Sequence, residues 1–377
     1  MGKEWGKNRK GMERMKAGII THYDVHNHGA QLQLYALCKQ LGKFGYEARA
    51  LTYKKNYDFL ELGIENKYSI SFRSIPYYIG YLFQRGFGRT LYNYNKRKIL
   101  NRFRQENNLE GEYYSKANAL DVTVIGSDEI FSIEPGLNPC FWGMGVPCSH
   151  VVSYAASCGP TTEEFIQEHY ADEFITAGIR RISALSVRDQ NTYNIVKKRT
   201  DQNVTVVCDP VLLYDFVEER ESKKRPADKK YCIVYSYDNN MNDNETVDAI
   251  RTYAKERDLA VYSVGYYHKW CDKNINLSPL ELLSWFENAE CVFTDTFHGT
   301  VVSLVSNTEF VTKISGNGNK LAFLLEQYGV TDRRVATFGD IPKITSEKID
   351  YETVNCRIKE IRDISLEFLS SALGGAV

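Results

Sequence analysis

A histidine that follows a short apolar segment is the residue of this sequence best suited to proton transfer. His298 lies in the run TDTFHGT, residues 294–300, where the segment ECVF ends and a helix is predicted to begin. Near neutral pH an imidazole can donate or accept a proton, and the free amides of a helix start can bind an anion. Two interpretations are open: an acid–base site that includes Asp295, Thr296 and Gly299, or a histidine that only caps the helix.

Two other turns carry groups that could contact a ligand. VIGSDEIF offers an amide, a hydroxyl and a carboxylate at Gly126, Ser127 and Asp128, and SVRDQ places Arg188 at the end of a strand. A guanidinium there suits a phosphate or a carboxylate. The alternatives are structural: a turn that only redirects the chain, and an Arg–Asp pair at the surface.

The first loop, THYDVHNHGAQLQ, holds three histidines at positions 22, 26 and 28. Their spacing matches no common metal motif, so we expect no metal site. Asn27 and Gly29 better suit a tight turn that presents amides to a ligand. The sequence has no GxGxxG run and no Walker loop, and we therefore expect no cofactor of those nucleotide types.

Predicted strands and helices alternate along the chain. AGIITHY (17–23), a helical pattern over 30–44 and YEARALTY (46–53) form the β-loop-α-β unit of a parallel, doubly wound sheet. Further strands are predicted at 121–128, 150–157, 182–189, 203–210, 230–237, 259–266, 290–295 and 308–314. We predict an α/β fold of two Rossmann-like domains with parallel sheets that face a cleft, where ligands bind beyond the strands' carboxyl ends.

A mostly charged stretch, EERESKKRPADKK (218–230), is the predicted linker. It divides an N-terminal domain, residues 17–217, from a C-terminal domain, residues 231–377, that ends in a helix. Residues 1–16 are basic and polar, lack the apolar core of a signal peptide, and are expected to be a disordered lead.

A basic and aromatic helical insertion is predicted near residues 56–118. From Arg73 to Arg104 there are eight Arg or Lys residues, eight interleaved aromatics and no acid. Arg104, with Arg97, Lys98 and Arg102, could face an anionic membrane or a lipid-linked diphosphate. The stretch could also stack on sugars or RNA bases, or form a helix with one packed and one solvated face.

Composition limits the classes of partner and the compartment. The chain has 377 residues, enough for two cores, and a net charge of -1, which gives no support for a nucleic-acid partner. Its nine cysteines include no CxxC pair and suit buried, reduced thiols. No run of about 18 apolar residues is present. We expect a cytoplasmic protein, with peripheral contact at the inner face of the membrane left open.

Several segments together resemble the polysaccharide pyruvyl transferase family. HNHGAQLQLYALCKQLGKFGYEARALTY resembles the start of the family, and IGSDEIF, SYAASCG, SVRD and CDPVLL follow in the expected order. VFTDTFHGTVVSLV resembles its most distinctive signature, with Thr296 in the place of a Ser. Glu129 and Phe131 stand where many members carry Gln and Trp. With NGNKLAFLLEQYGVTDR, the resemblance covers roughly residues 17–334.

The resemblance implies a fold similar to two-domain GT-B glycosyltransferases. It also implies transfer of a pyruvyl group from phosphoenolpyruvate, as donor substrate, to a sugar as a ketal, in the synthesis of capsule, exopolysaccharide or cell-wall glycan. The acceptor would be a polysaccharide sugar or its lipid-linked precursor. By analogy His298 is the catalytic candidate, Arg188 a donor-binding candidate and Lys320 a further anion contact.

Two other functions remain open at this stage. A GT-B glycosyltransferase that uses a nucleotide sugar would share the fold. A relative that has lost its chemistry and only binds glycan would share the fold as well, although the presence of His298 and Arg188 favours an enzyme.

Overall fold

The computed structural model describes residues 14–54, 86–220, 227–314 and 318–374. Most of the predicted lead, the first part of the predicted insertion and the centre of the predicted linker lie outside these ranges. The first strand begins at Met15, two residues before its predicted start.

The first sheet is parallel and has the strand order β3-β2-β1-β4-β5. Two further short strands, β6 and β7, pair with each other and continue this sheet through the bridges Val152↔Ala184 and Ala156↔Val187. The strands are β1 (Met15–Ile20), β2 (Tyr46–Thr52), β3 (Glu110–Tyr113), β4 (Val122–Ile125), β5 (Val151–Ser153), β6 (Leu185–Val187) and β7 (Val204–Val206).

The second sheet is also parallel and has the order β10-β9-β8-β11-β12-β13. In each sheet the strand order reverses beside the strand that comes first in the chain, β1 or β8. This reversal creates a crevice at the carboxyl ends of the strands. The strands are β8 (Tyr231–Tyr235), β9 (Ala260–Val264), β10 (Lys273–Ile275), β11 (Cys291–Thr294), β12 (Phe310–Lys313) and β13 (Arg334–Val335).

Helices connect the strands and cover the sheets. In the first half they are α1 (His28–Lys43), α2 (Phe87–Glu106), α3 (Glu163–Glu168), α4 (Asp172–Arg181), α5 (Gln190–Lys197), α6 (Pro210–Leu213) and α7 (Val217–Arg220). In the second half they are α8 (Asn244–Glu256), α9 (Pro279–Glu287), α10 (Phe297–Val305), α11 (Asn319–Tyr328), α12 (Ile341–Ile344) and α13 (Tyr351–Ala372). The predicted α/β fold with two parallel sheets around a cleft is therefore confirmed.

The two sheets share one continuous hydrophobic core. Helix α1 packs against α9 and α10 of the other half, and buried side chains such as Leu34, Leu283 and Val301 belong to the same cluster. The terminal helix α13 returns to the first half, where the hydroxyl of Ser365 accepts a hydrogen bond from the amide of Cys208 at 3.0 Å. The cleft thus lies between two units that are held together on its closed side.

Helix α2 supplies the described part of the predicted insertion. It contains only a few buried residues, among them Lys96, Leu100 and Arg104, and its opposite face is solvated. Arg104 is buried and pairs with Asp24 and Glu110, so this residue cannot serve as a lipid-facing charge.

All nine cysteines are free, and six of them are buried. Within the described ranges, no helix is both long enough and apolar enough to cross a bilayer.

Candidate active site

A cleft of about 490 Å³ lies between the carboxyl ends of the two sheets. Loops after β1, β4 and β6 form one wall, and loops after β8, β9 and β11 form the other. Among the residues lining it are Asn27, Asp128, Glu129, Arg188, Tyr237, Asp295, Thr296, Phe297, His298 and Lys320. The fold therefore brings seven of the predicted site residues into one cavity: Asn27, Asp128, Arg188, Asp295, Thr296, His298 and Lys320.

His298 lies at the start of α10, whose N-cap is Thr296. The Thr296 hydroxyl accepts a hydrogen bond from the Gly299 amide at 2.9 Å, so Thr296, and not His298, caps the helix. The imidazole is almost fully buried, and its Nε2 has no hydrogen-bond partner among the described residues. The capping interpretation of His298 therefore does not account for the position of its ring.

Close packing with the other half fixes the His298 side chain. A Cβ added to Gly29, near the start of α1, would lie 2.2 Å from His298 Cγ and 2.3 Å from its Cβ. Only a residue without a side chain fits at this distance. The starts of α1 and α10 therefore meet directly beneath the cleft, and Gly29 acts as a support for His298 without lining the cavity.

A buried charge cluster lies beside His298. Asp209, which is fully buried, accepts a hydrogen bond from Arg188 Nη1 at 2.8 Å, and its Oδ2 lies 3.8 Å from His298 Nε2. Arg188 Nη2 lies 3.7 Å from Asp128, and its guanidinium covers the ring of Phe297 at 4.3 Å. Asp209 therefore connects the predicted cation to the predicted acid–base residue.

The protonation states follow from burial and from these charges. Burial lowers the pKa of His298 below its ordinary value of 6.5, although the carboxylates of Asp209 and Asp128 oppose this effect. Burial also disfavours the charge of Arg188, but Asp209 and Asp128 outweigh it and raise the pKa of Arg188. At neutral pH the site therefore has a neutral imidazole next to a permanent cation.

Lys320 is the second cation of the cleft. Its ammonium pairs with the Glu129 carboxylate of the opposite wall, and it lies 5.9 Å from the centre of the Phe297 ring. Both members of the pair are about one-third exposed. Arg188 and Lys320, the cations among the described residues that line the cleft, are thus both paired with carboxylates.

Beside Lys320, the wall formed by the loops after β8, β9 and β11 is acidic and aromatic. Asp295 accepts a hydrogen bond from the Asn240 side chain at 2.7 Å, and burial raises the pKa of Asp295. The ring of Tyr237 packs edge-on against Tyr266 at 5.4 Å and remains half exposed. These groups suit the hydroxyls and apolar faces of a sugar better than they suit a phosphate.

Three predicted residues lie at the edge of the site without lining the cavity. The Gly126 amide donates to Ile20 O at 2.8 Å, and the Ser127 hydroxyl donates to Gln33 at 2.7 Å. Gly299 lies under Thr294, where an added Cβ would be 2.1 Å from Thr294 Oγ1. All three shape the turns that present Asp128 and His298.

The first-loop histidines occupy separate environments. His28 Nε2 donates a hydrogen bond to Leu277 O of the second half at 2.9 Å, and burial lowers the pKa of His28 to about 3. His22 lines the cleft and packs edge-on against Phe141. Among the described residues, no three His, Cys, Asp or Glu side chains form a potential metal-binding group. Asn27 caps α1 by accepting a hydrogen bond from the Gly29 amide at 2.9 Å.

The cleft also contains or adjoins three residues that were not predicted from the sequence as site residues: Asp209, Phe297 and Tyr237. Asp209 precedes Pro210 at the N-cap of the very short helix α6, a pattern that reads as a structural turn. Its proximity to His298 depends on contact between the two halves, which local spacing does not encode. The segment CDPVLL, which follows strand β7, was the only signal that could have drawn attention to it.

Solved structures with a similar fold include two that contain UDP. UDP-GlcNAc 2-epimerase of Methanocaldococcus jannaschii, in complex with UDP-GlcNAc and UDP, is 12% identical, with a TM-score of 0.51 over 92% of this chain and 94% of the other. S. aureus MnaA, in a co-structure with UDP, is 10% identical, with a TM-score of 0.50 over 95% and 96% of the two chains. At such identities the likeness defines the fold alone, which is GT-B-like.

The family is defined by the sequence itself. A profile of the polysaccharide pyruvyl transferases matches residues 27–314, which include the residues of both cleft walls except His22, Val25 and Lys320. The chain therefore belongs to the polysaccharide pyruvyl transferase family and is a transferase. No match to it was found among curated protein sequences.

The contact between Gly29 and His298 yields a paired prediction. Gly29→Ala forces the imidazole to move, so we expect a changed His298 NMR signal and a loss of about 1–3 kcal/mol in the free energy of unfolding. Gly42→Ala lies in the same helix with open space around it, and should stabilise by up to about 1 kcal/mol without altering the His298 signal. An unchanged His298 signal in Gly29→Ala would contradict the packing.

The charge cluster predicts how His298 titrates. Because burial lowers the His298 pKa, the ring should remain neutral at pH 7 and gain a proton only as the pH falls below 6.5. Asp209→Asn removes a carboxylate that favours the imidazolium, so the His298 titration should move to still lower pH. NMR titration of the His298 ring in the wild type and in Asp209→Asn measures both pKa values. An upward shift in Asp209→Asn would refute this arrangement.

Proposed function

We propose that the protein transfers the pyruvyl group of phosphoenolpyruvate to two hydroxyls of a sugar, forming a pyruvate ketal with release of phosphate. The observation that carries the proposal is the position of His298: a neutral, buried imidazole whose unpartnered Nε2 lies beside the Asp209–Arg188 pair in the cleft. Membership of the pyruvyl transferase family supports the reaction type.

The reaction needs a group that carries a proton from a sugar hydroxyl to the methylene carbon of the donor. The first sugar hydroxyl adds to C2 of the donor while the methylene carbon gains a proton and becomes a methyl group. A second hydroxyl of the sugar then displaces phosphate from C2. One of the two hydroxyl protons ends on the methyl group and the other leaves with the phosphate. His298 is proposed to take the proton of the first hydroxyl, as a base, and then to give it to the methylene carbon, as an acid.

Asp209 supports both states of that imidazole. When His298 is neutral, the Asp209 carboxylate is balanced by Arg188 at 2.8 Å. When His298 gains a proton, the same carboxylate lies close enough to stabilise the imidazolium. The pair therefore allows the ring to change charge in a buried position without an isolated charge in either state.

Donor binding must exchange one ion pair for another. Phosphoenolpyruvate carries a carboxylate and a phosphate, which suit Arg188, Lys320 and the amides at the start of α10. Arg188 is buried between two carboxylates, whereas Lys320 is held by the single, partly exposed Glu129. We propose that the donor phosphate displaces Glu129 from Lys320, and that the acceptor sugar lies on the Asp295 and Tyr237 side.

A glycosyltransferase that uses a nucleotide sugar is the second candidate. The fold likeness to enzymes whose structures contain UDP supports it. The direct comparison of phosphoenolpyruvate with UDP-sugars below separates the two.

Helix α2 supports a further proposal about the acceptor and its location. Phe87, Leu91 and Tyr94 are exposed on α2 at helical spacing, and Arg97, Lys98 and Arg102 are exposed on the same helix. An exposed apolar stripe with basic neighbours suits an anionic lipid surface. We propose that the enzyme acts in the cytoplasm, consistent with its free cysteines, and meets a lipid-linked acceptor at the membrane's inner face in the synthesis of capsule or exopolysaccharide.

Phosphoenolpyruvate should raise the melting temperature in a saturable manner, whereas UDP-sugars should not. Glu129→Gln removes the carboxylate that competes for Lys320, so we expect roughly tenfold tighter binding, about 1.4 kcal/mol. Lys320→Met should lose most of the stabilisation by the donor. Melting curves over a range of donor concentrations measure donor binding by the wild type and by both variants.

The matched control is Lys359→Met, which changes an exposed lysine of α13 and should bind the donor like the wild type. His298→Asn should also bind the donor, because the proposed role of His298 is proton transfer. Stabilisation by UDP-sugars and none by phosphoenolpyruvate would favour the glycosyltransferase. Unchanged or weaker donor binding in Glu129→Gln would contradict the proposed exchange.

Membrane contact is tested by vesicle sedimentation. Replacing Arg97, Lys98 and Arg102 with Gln should weaken binding to phosphatidylglycerol-containing vesicles by about 1 kcal/mol per residue. The control replaces three exposed lysines elsewhere, Lys343, Lys348 and Lys359, and keeps the same net charge as the triple variant. Equal loss in both variants would indicate non-specific charge attraction, and no loss in either would refute the contact.

A further inference from the structure

A second, smaller groove adjoins the cleft. It has a volume of about 240 Å³ and is lined by Arg89, Asn93, Lys96, Tyr237, Asp238, Asn239 and Tyr266. Tyr237 and Tyr266 line both cavities, so their rings form the partition between them. The groove therefore begins where the acidic and aromatic wall of the cleft ends.

Lys96 is the unusual residue of this groove. Only 6% of the residue is exposed, yet none of the described residues hydrogen-bonds to its ammonium, and no described carboxylate lies within ion-pair distance of it. The ammonium lies 4.1 Å from the centre of the Tyr266 ring. Burial lowers the pKa of Lys96 to about 8, with Asp238 opposing this effect. An ammonium that lines the groove and makes no hydrogen bond within the described residues can donate to a ligand there.

The other polar groups of the groove are already fixed in place. Asp238 accepts hydrogen bonds from Arg89 at 2.8 Å, from Asn93 at 3.0 Å and from the Tyr267 amide at 3.0 Å. Arg89 also donates to Asn239 at 2.7 Å. These bonds tie α2 to the loops after β8 and β9. The floor is therefore held in one geometry, and Lys96 is left with free donors.

The mixture of groups indicates a carbohydrate. Aromatic rings can pack against the apolar face of a pyranose, while amides, a guanidinium and an ammonium can hydrogen-bond its hydroxyls. A lipid chain would leave the Lys96 ammonium without a hydrogen-bond partner. Tyr237 is half exposed and lines both cavities, so it can contact a sugar in either of them.

We propose that this groove binds the sugar unit next to the one that receives the pyruvyl group, with Lys96 donating to its hydroxyls and Tyr237 packing between the two units. The inference rests on the proposed function, because it places the acceptor unit in the adjoining cleft. It predicts that the enzyme distinguishes a disaccharide from a monosaccharide.

The test is saturation-transfer NMR with methyl glycosides and disaccharides of glucose, galactose, mannose and N-acetylglucosamine. At least one disaccharide should bind the wild type more tightly than its monosaccharide parts. Lys96→Met should weaken binding of that disaccharide by roughly fivefold to tenfold, as expected for the loss of hydrogen bonds to a charged donor. Binding of the monosaccharide should not change. The control is Lys39→Met, since Lys39 lies 5.2 Å from the Tyr35 ring but is exposed and outside the groove.

Thermal stabilisation by phosphoenolpyruvate, measured on the same samples, reports on the proposed function separately. Suppose that the donor stabilises every protein and that wild type and Lys96→Met bind the disaccharide equally. This result would overturn the proposed sugar site in the groove and leave the proposed function intact. Disaccharide binding that depends on Lys96, without donor stabilisation, would retain the groove as a glycan site and refute the donor. Absence of saturation transfer from every saccharide in the set would also overturn the inference.

Discussion

The buried pair of Arg188 and Asp209 is the interaction on which the site depends. Removing one member of such a pair leaves an uncompensated buried charge, which typically costs about 3–5 kcal/mol. The pair joins the end of β6 to the start of α6, and it is completed by His298 from the other half of the chain. Burial gives these charges their strength, because water would otherwise screen them. The position and the protonation of the imidazole therefore depend on the way the two halves pack together.

That packing is possible because two helix starts meet almost without a gap. Gly29 at the start of α1 and His298 at the start of α10 approach so closely that no side chain fits at position 29. Both starts have an N-cap that lines the cleft, Asn27 in one case and Thr296 in the other. The starts of both helices, each with a partial positive charge, thus lie at the same cavity, which suits an anionic ligand.

The cleft combines this anion-binding floor with walls of the opposite character. Asp128, Glu129 and Asp295 bring negative charge close to the two cations, and two of these carboxylates pair with them. An anionic ligand that binds these cations would have to displace a carboxylate, whereas hydroxyls can donate hydrogen bonds to the carboxylates directly. The groove beyond Tyr237 has the same mixture of polar groups and aromatic rings, and it leads away from His298.

The sequence by itself determined the class of fold, because buried parallel strands and amphipathic helices have periodicities that can be read locally. It also determined the turns that carry chemistry: His298, Arg188, Asp128 and Asp295 were all recognisable as polar residues at strand ends. Only the tertiary structure decided which of them meet. Asp209 fell at the end of the strand predicted at 203–210, Lys96 among the basic residues of the predicted insertion, and Gly29 in a predicted tight turn. The roles of these three residues arise from contacts between segments remote in sequence, and local patterns contain no information on such distances.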